Sequence, residues 1–201
     1  HRAETQYNVP ARLRASLNPL DAITADSLTA REDIRVIADG MVTRYKVEDG
    51  TWDNGAVTVL AGYIAYVMAD PDPASRTLAT VRYLLTMPKR TRQEIQMDML
   101  NQGGFGQLAR AAATVGLSET KKADEHFNSA IDHTDWVDSA PFAELLSSSS
   151  FSLSELKTGN VAVFLVLPHE YLNEHSRFLR LFVRCALDAI TKGGKDGRRC
   201  L

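Results

Sequence analysis

Cysteine is nearly absent from this sequence. The chain of 201 residues has two, Cys185 and Cys200, which form neither a metal-binding pair nor a disulfide framework, so a reducing cytosol is the expected compartment. Long apolar runs are also missing. The longest, residues 56–69, is far shorter than the roughly 20 residues needed to cross a bilayer. The first residues lack the apolar segment of a signal peptide, and we therefore expect a soluble chain.

Nucleotide-binding and catalytic motifs are missing as well. No G-x-x-x-x-G-K-[ST] loop occurs: the glycines of residues 103–106 are followed by no lysine, and Lys195 is followed by Asp196 instead of Ser or Thr. The residues show no nucleophile, base and oxyanion set in a recognisable pattern. We therefore predict no catalytic, cofactor-binding or metal-ligating residue in this chain, and no enzyme activity of its own.

The histidines need separate consideration, because two of them on one helix face can hold a metal ion. His169 and His175 are six residues apart, which places them about 120° apart on a helix, whereas a zinc protease helix needs a spacing of four. His126 and His133 are seven apart and share a face. They leave open the alternative of a free-standing, metal-dependent helical enzyme. No third ligand is identifiable, and we favour exposed polar residues.

The sequence does contain a long helical pattern. Between about residues 27 and 151 apolar positions recur at helical spacing, and no segment alternates with period two. This pattern predicts seven or so short helices in one all-α unit. Asp21 and Ser118 are expected to cap the helices that follow them, and the four serines of residues 147–150 are expected to form a loop. Trp52 and Trp136 are expected to be core or interface anchors.

The C-terminal part has a different pattern. Residues 161–167, with the sequence VAVFLVL, are continuously apolar and rich in β-branched side chains, which is typical of a buried central strand. A helix should follow, with its apolar stripe at Leu172, Leu179, Phe182, Ala186 and Ile190. The predicted fold class is therefore mainly α, a compact multi-helix all-α domain with a small α/β remnant, one strand and one helix, at the C-terminal end.

Charge is distributed unevenly along the chain. The net charge is −2, but residues 26–150 hold 12 basic and 18 acidic side chains, a net of −6. An acidic surface repels a phosphate backbone, which argues against sequence-independent DNA binding by the helical unit. The local exception is the basic cluster Lys89, Arg90 and Arg92, our candidate contact for DNA or a protein partner.

Five short motifs, in order, resemble the TraG/TraD-type coupling proteins of bacterial conjugation and type IV secretion. The motifs are NPLD from Asn18, WDNGA from Trp52, FSLSEL from Phe151, VFLVLPHEYL from Val163 and SRFLR from Ser176. Each motif alone is weak, but together they span nearly the whole chain. That family consists of membrane-anchored, hexameric P-loop ATPases with an all-α domain inserted in a RecA-like nucleotide-binding domain.

The resemblance implies a division of the chain. Residues 1–27 would be an extended segment of the nucleotide-binding domain, residues 28–152 the all-α domain, and residues 153–201 a strand and helix of the RecA-like domain. ATP and Mg²⁺ would bind the longer protein outside this chain, because the Walker A loop is expected before residue 1 and the Walker B strand after residue 201. No catalytic or nucleotide-contacting residue is therefore transferred to this chain.

The resemblance also implies partners and a location. The all-α domain would recruit protein substrates, such as a relaxase bound to transfer DNA, relaxosome accessory proteins or effector proteins, and pass them to the secretion channel. An acidic helical surface suits basic protein partners, and DNA contact would be weak. The chain would lie in the cytoplasm at the inner face of the inner membrane without touching it. By itself we expect a monomer or weak dimer.

Overall fold

The computed structural model describes residues 14–24, 27–43, 50–101, 105–159, 161–167, 169–173 and 175–192. Within these ranges the chain is mainly helical, as predicted, and has nine α-helices and no β-strand. The helices are α1 (Ala30–Met41), α2 (Gly50–Met68), α3 (Leu78–Thr86), α4 (Lys89–Asn101), α5 (Gly106–Gly116), α6 (Lys121–His133), α7 (Ala140–Leu145), α8 (Glu155–Thr158) and α9 (Ser176–Lys192). None of them has both the length and the apolar character required to cross a bilayer.

Helix α2 forms the centre of the helical unit. From residue 56 to residue 68 every side chain is buried except Thr58 and Tyr66, and α1, α3, α5 and α6 pack around the helix. A helix that is apolar on all sides belongs in the core. At Gly62 the backbone of α2 lies directly against α5, since an added Cβ would stand 2.1 Å from the Ala112 Cβ and 2.7 Å from the Leu108 carbonyl oxygen.

Helix α6 begins later than the sequence predicted. The Thr120 hydroxyl, not that of Ser118, accepts a hydrogen bond of 3.2 Å from the Ala123 amide and caps the helix. The Ser118 Oγ instead lies 3.2 Å from the Thr120 Oγ1. The prediction was wrong because two hydroxyl residues stand two positions apart, and only the one directly before the first turn can reach its amides.

The segments that lead into and out of the helical unit lie side by side. The Ser150 amide donates to the Ser16 carbonyl at 3.0 Å, the Ser16 amide donates to the Ser150 Oγ at 2.9 Å, and the Asn18 amide donates to the Ser149 Oγ at 3.0 Å. The serine run therefore lies outside the helices and holds the N-terminal segment through backbone and hydroxyl groups. The two ends of the helical unit are thus joined by hydrogen bonds between residues 16–18 and residues 149 and 150, which together we call its base.

Asn18 organises this base. Its side chain is 2% exposed, and its Nδ2 donates to the Asp21 Oδ1 at 2.9 Å and to the Arg76 carbonyl at 2.8 Å. Its Oδ1 accepts from the Leu20 amide and caps the 3₁₀ turn Pro19–Ala22. Asp21 was predicted to cap the next helix, and this was wrong. Its carboxylate is bound to Asn18, and α1 begins only at Ala30.

The predicted strand at residues 161–167 does not form. No segment of the described chain pairs with it, and its side chains are not buried, with Phe164 84% and Val166 51% exposed. A buried strand needs neighbouring strands and covered faces, and apolar composition alone supplies neither. The α/β remnant is therefore represented in the described residues by α9 without a sheet.

A helix follows the apolar segment as predicted, but it begins only at Ser176, so Leu172 lies outside it, and it buries a different face. Phe178, Leu181 and Cys185 are buried, and the helix packs along α1. An added Cβ at Gly40 would lie 3.0 Å from the Leu181 Cδ1, so the two helices are close here. The members of the predicted stripe that lie in α9 are only partly buried; they are Leu179, Phe182, Ala186 and Ile190. The helix has two apolar faces, and the sequence pattern did not show which one α1 would cover.

Candidate functional site

The basic cluster predicted from the sequence lies at the start of α4. The Lys89 Nζ stands 3.1 Å from the Asp124 Oδ1 on α6, and both side chains are about half exposed. The Arg92 Nη1 donates to the Leu85 carbonyl at 3.0 Å, and its guanidinium carbon lies 5.2 Å from the centre of the Phe127 ring. Arg92 therefore connects α4 to α3 and α6, and Lys89 forms a half-exposed ion pair between α4 and α6.

Arg90 has a different environment. Its side chain is 93% exposed, and its Nε lies 4.0 Å from the Glu94 Oε1 one helical turn away. An exposed pair at that distance contributes little to stability and leaves the guanidinium accessible. Of the three predicted contact residues, Arg90 is the one that presents its charge to solvent without supporting the fold.

His126 and His133 are packing groups on α6. An added Cβ at Gly55 would stand 2.2 Å from the His126 Cδ2, so this imidazole lies on the backbone of α2. His133 is 6% exposed, which overturns the expectation of an exposed residue. Burial lowers the pKa of both histidines, with Lys122 adding to the effect at His126 and Arg177 at His133. Across the described ranges no three His, Cys, Asp or Glu side chains group to hold a metal ion, and nothing supports the metal-dependent alternative.

His169 and His175, on the C-terminal side, have different environments. His169 lies exposed in the 3₁₀ turn His169–Tyr171. The ring of His175 lies edge-on to Phe142, with their centres 4.6 Å apart. Phe142 also contacts Trp136 and Phe178, so an aromatic cluster joins α7 and α9 to the turn after α6. Trp136 is buried, as predicted for a core anchor.

Cys185 is a buried thiol in this fold. Its side chain on α9 is 8% exposed, and burial raises the pKa of the thiol to about 12. A thiol with that pKa is almost fully protonated near neutral pH and reacts slowly.

Sequence reasoning missed two arginines that fix the end of α6. The Arg82 Nη2 lies 2.7 Å from the Asp138 Oδ2, and the same side chain donates to the Ile131 carbonyl and is only 11% exposed. The Arg177 Nη1 lies 2.7 Å from the Asp135 Oδ1 and ties α9 to the same region. Each pair spans more than forty residues of sequence, so no local spacing signal could have identified it.

Comparison with known proteins gives a consistent result. Residues 7–200 match the family described as Type IV secretory system Conjugative DNA transfer. The chain is 27% identical over 188 residues to the probable conjugal transfer protein TraG of Sinorhizobium fredii, which covers 90% of this chain and 29% of that protein. It is 28% identical over 202 residues to the type IV secretion system-coupling protein VirD4 of Bartonella quintana, covering 94% and 31%.

A further relative shows the same proportions. The conjugal transfer protein TraG of Agrobacterium fabrum is 25% identical over 190 residues, covering 90% of this chain and 29% of the relative. The chain thus spans about three tenths of the length of the curated relatives it matches. No solved structure matches significantly.

Proposed function

Because this chain belongs to the Type IV secretory system Conjugative DNA transfer family, we propose that it contains the substrate-recognition domain of a type IV coupling protein. In this proposal residues 28–152 recruit a relaxase bound to DNA, relaxosome accessory proteins or effector proteins. The observation that carries the proposal is the joined base of the helical unit. Ser16 and Ser150 exchange hydrogen bonds, so the two ends of the unit lie together, which supports its assignment as an inserted domain.

The flanking residues are assigned to the nucleotide-binding domain in the same proposal. Residues 1–27 and 153–201 would belong to it, and residues 161–167 would be a strand of its RecA-like sheet. The exposure of Phe164 and Val166 supports this, because an apolar run of that composition is stable in contact with neighbouring strands rather than water. The exposed Val183 and Leu187 on α9 would then face the same sheet.

The longer protein would be a membrane-anchored P-loop ATPase that uses ATP and Mg²⁺. The likeness of this chain to type IV coupling proteins such as VirD4 supports a place at the inner face of the bacterial inner membrane. In the same proposal the longer protein assembles as a hexamer. We propose that the chain alone, which covers about three tenths of such a protein, is a monomer or weak dimer.

The basic cluster remains our proposed contact for a partner or DNA, with Arg90 as its accessible member. Arg92 supports the fold through Leu85 and Phe127, and Lys89 is paired with Asp124, so replacing either residue would change contacts within the fold as well as binding. Changes at Arg90 separate the two effects. Exposed Arg31 on α1, 3.9 Å from Glu32, offers a matched surface arginine on another helix.

The function is tested by a pull-down of this chain with the relaxase and accessory proteins of its own transfer system. Labelled single- and double-stranded DNA are run in parallel. Capture of a protein partner, weakened by Arg90→Glu but not by Arg31→Glu, is the expected result. Retention of DNA alone, with a binding constant that falls steeply with salt and a salt slope reduced by about 1 in Arg90→Glu, would instead assign the cluster to phosphate contact. Capture of neither would overturn the proposal.

A further inference from the structure

One side of α9 is buried along the helical unit. Phe178, Leu181 and Cys185 recur at intervals of three and four residues, and all three are buried. The helix packs mainly against α1. In its first turn the Phe178 ring contacts Trp136 and Phe142, whose ring centres lie 5.9 and 4.7 Å away. The three buried residues define what we call the buried side of α9, and their packing makes the helix part of the core.

A polar contact holds each end of this buried side. At the first turn the Arg177 guanidinium donates to the Asp132 carbonyl near the end of α6 and lies 2.7 Å from the Asp135 carboxylate. At the last turn the Lys192 ammonium bonds to the Asp33 carboxylate in the first turn of α1. Because the Arg177 and Asp33 side chains are mostly buried, water screens these two contacts less than it screens pairs at the surface. The helix is thus held to the helical unit from its first turn to its last.

The opposite side of α9 is uncovered in the part of the chain that the structure describes. At about 100° per residue, Val183 and Leu187 lie about 170° around the helix from the centre of the buried side. Both side chains are more than half exposed, and we call this the outer side of α9. Arg177 and Lys192 lie on the buried half by the same count. The helix therefore separates the helical unit from whatever its outer side contacts.

We propose that α9 is a coupling element, which moves as one body with the helical unit and transmits to it any displacement imposed on the outer side. The first half of this inference depends only on the packing. The second half rests on the proposed function, in which the outer side faces the sheet of the nucleotide-binding domain. Because packed helices shift as rigid bodies, a movement of that sheet would reach α1 and the end of α6 through α9.

Hydrogen exchange of the unmodified chain and two leucine variants tests whether α9 and α1 move together. Leu181→Ala removes a fully buried side chain from the buried side and should lower the protection of amides in α9 and in α1 alike, by at least about tenfold. Leu187→Ala is the control, because it makes the same change on the outer side of the same helix and should leave both helices unchanged. Loss of protection in α9 alone would overturn the proposal. So would α9 amides that exchange freely in the unmodified chain while those of α1 are protected.

A second variant tests the contact at the first turn without creating a large cavity. Arg177→Met keeps an unbranched side chain but removes the bonds to Asp132 and Asp135. Protection of the Leu179 amide in α9 and of the Val137 amide in the turn after α6 should therefore fall together, by about three- to tenfold. Arg180→Met, at an exposed arginine one turn further along α9, is the control. An effect on only one of the two amides, or the same effect in Arg180→Met, would contradict the coupling.

These results are distinguishable from a failure of the proposed function. If α9 and α1 exchange as one unit and the pull-down captures neither a protein partner nor DNA, the attachment of α9 stands and the recruitment function fails. If a partner is captured but α9 exchanges independently of α1, the recruitment function stands and the coupling element fails.

Discussion

Two apolar segments of this chain have similar composition and opposite environments. Residues 56–68 of α2 are buried almost throughout, whereas residues 161–167 are mostly exposed. The difference lies in their neighbours. Four helices cover α2, while no strand in the described ranges pairs with residues 161–167. Apolar composition thus indicates that burial of a segment would be favourable. The surrounding structure decides whether the segment is buried.

The largest expected effect comes from truncating the same residue type in the two segments. Leu60 in α2 is 0% exposed, and Leu60→Ala should lower the free energy of unfolding by about 2–5 kcal/mol because it leaves a cavity in the packed core. The matched variant Leu165→Ala, in the exposed segment, should change it by less than about 0.5 kcal/mol. Urea denaturation measures both. Equal losses would show that residues 161–167 are packed in solution and would remove the contrast.

A smaller effect is expected from filling the contact between α2 and α5. Gly62→Ala should destabilise the chain by about 1–3 kcal/mol, because the added methyl group meets the Ala112 methyl and the Leu108 carbonyl. The cost of this clash exceeds the stabilisation that comes from the higher helix propensity of alanine relative to glycine.

The control for this variant is Gly106→Ala, which adds the same methyl group where no backbone atom is near. Thermal unfolding of the two variants side by side measures the contact. A stabilised Gly62→Ala would mean that α2 and α5 are not in close contact, and the core assigned to α2 would have to be revised.

The joined base of the helical unit gives a third prediction. Asn18→Ala removes the bonds to Asp21, Arg76 and the Leu20 amide and should cost about 1–3 kcal/mol, because buried groups lose their partners. Asn101→Ala, which removes one exposed bond to a carbonyl of its own helix, should cost little. Hydrogen exchange should show that Asn18→Ala also exposes the Ser150 amide. Unchanged protection of the Ser150 amide would show that Asn18 does not stabilise the base.

The smallest effect concerns pH. Burial lowers the pKa of His133 below its ordinary value of 6.5, with Arg177 adding to the shift, Asp53 and Asp132 opposing it, and Arg180 lowering it further. The unfolded chain therefore binds a proton more readily than the folded chain. Stability should fall as the pH drops below about 6.5 and level off below the folded pKa.

His133→Gln should reduce this loss between pH 7.5 and pH 5, and denaturant midpoints at the two values measure it. Exposed His169 provides the matched variant, His169→Gln, for the loss of a histidine at the surface. The same pH dependence in His133→Gln and in the unmodified chain would assign the effect to other groups.

Sequence reasoning found the helical unit because its signals are local. The helical spacing of apolar residues and the glycines and prolines between them are read within one or two turns, and seven helices, α1 to α7, lie in the predicted range. The caps were less predictable. Ser118 and Thr120 both satisfy the sequence rule, and only the path of the backbone selected Thr120.

The candidate site was predictable only in part. The cluster at Lys89, Arg90 and Arg92 is visible in the sequence. The sequence does not show that only Arg90 stays free of contacts with other helices, because Lys89 and Arg92 are engaged by Asp124 and by groups of α3 and α6. No feature of the sequence marked Arg82 as a contact residue. Its partner Asp138 is 56 residues away, and such distances are bridged only when the helices pack.

The sequence by itself determined the class of this protein, a mainly helical chain with an acidic middle and the motif order of the coupling-protein family. These properties depend on spacing, composition and order, which the chain carries without folding. The tertiary structure decided which apolar face of α9 meets α1, which basic side chain stays accessible, and that Ser16 and Ser150 meet at one base. Each of these depends on contacts between residues far apart in sequence, whose free energy exists only after the helices have packed together.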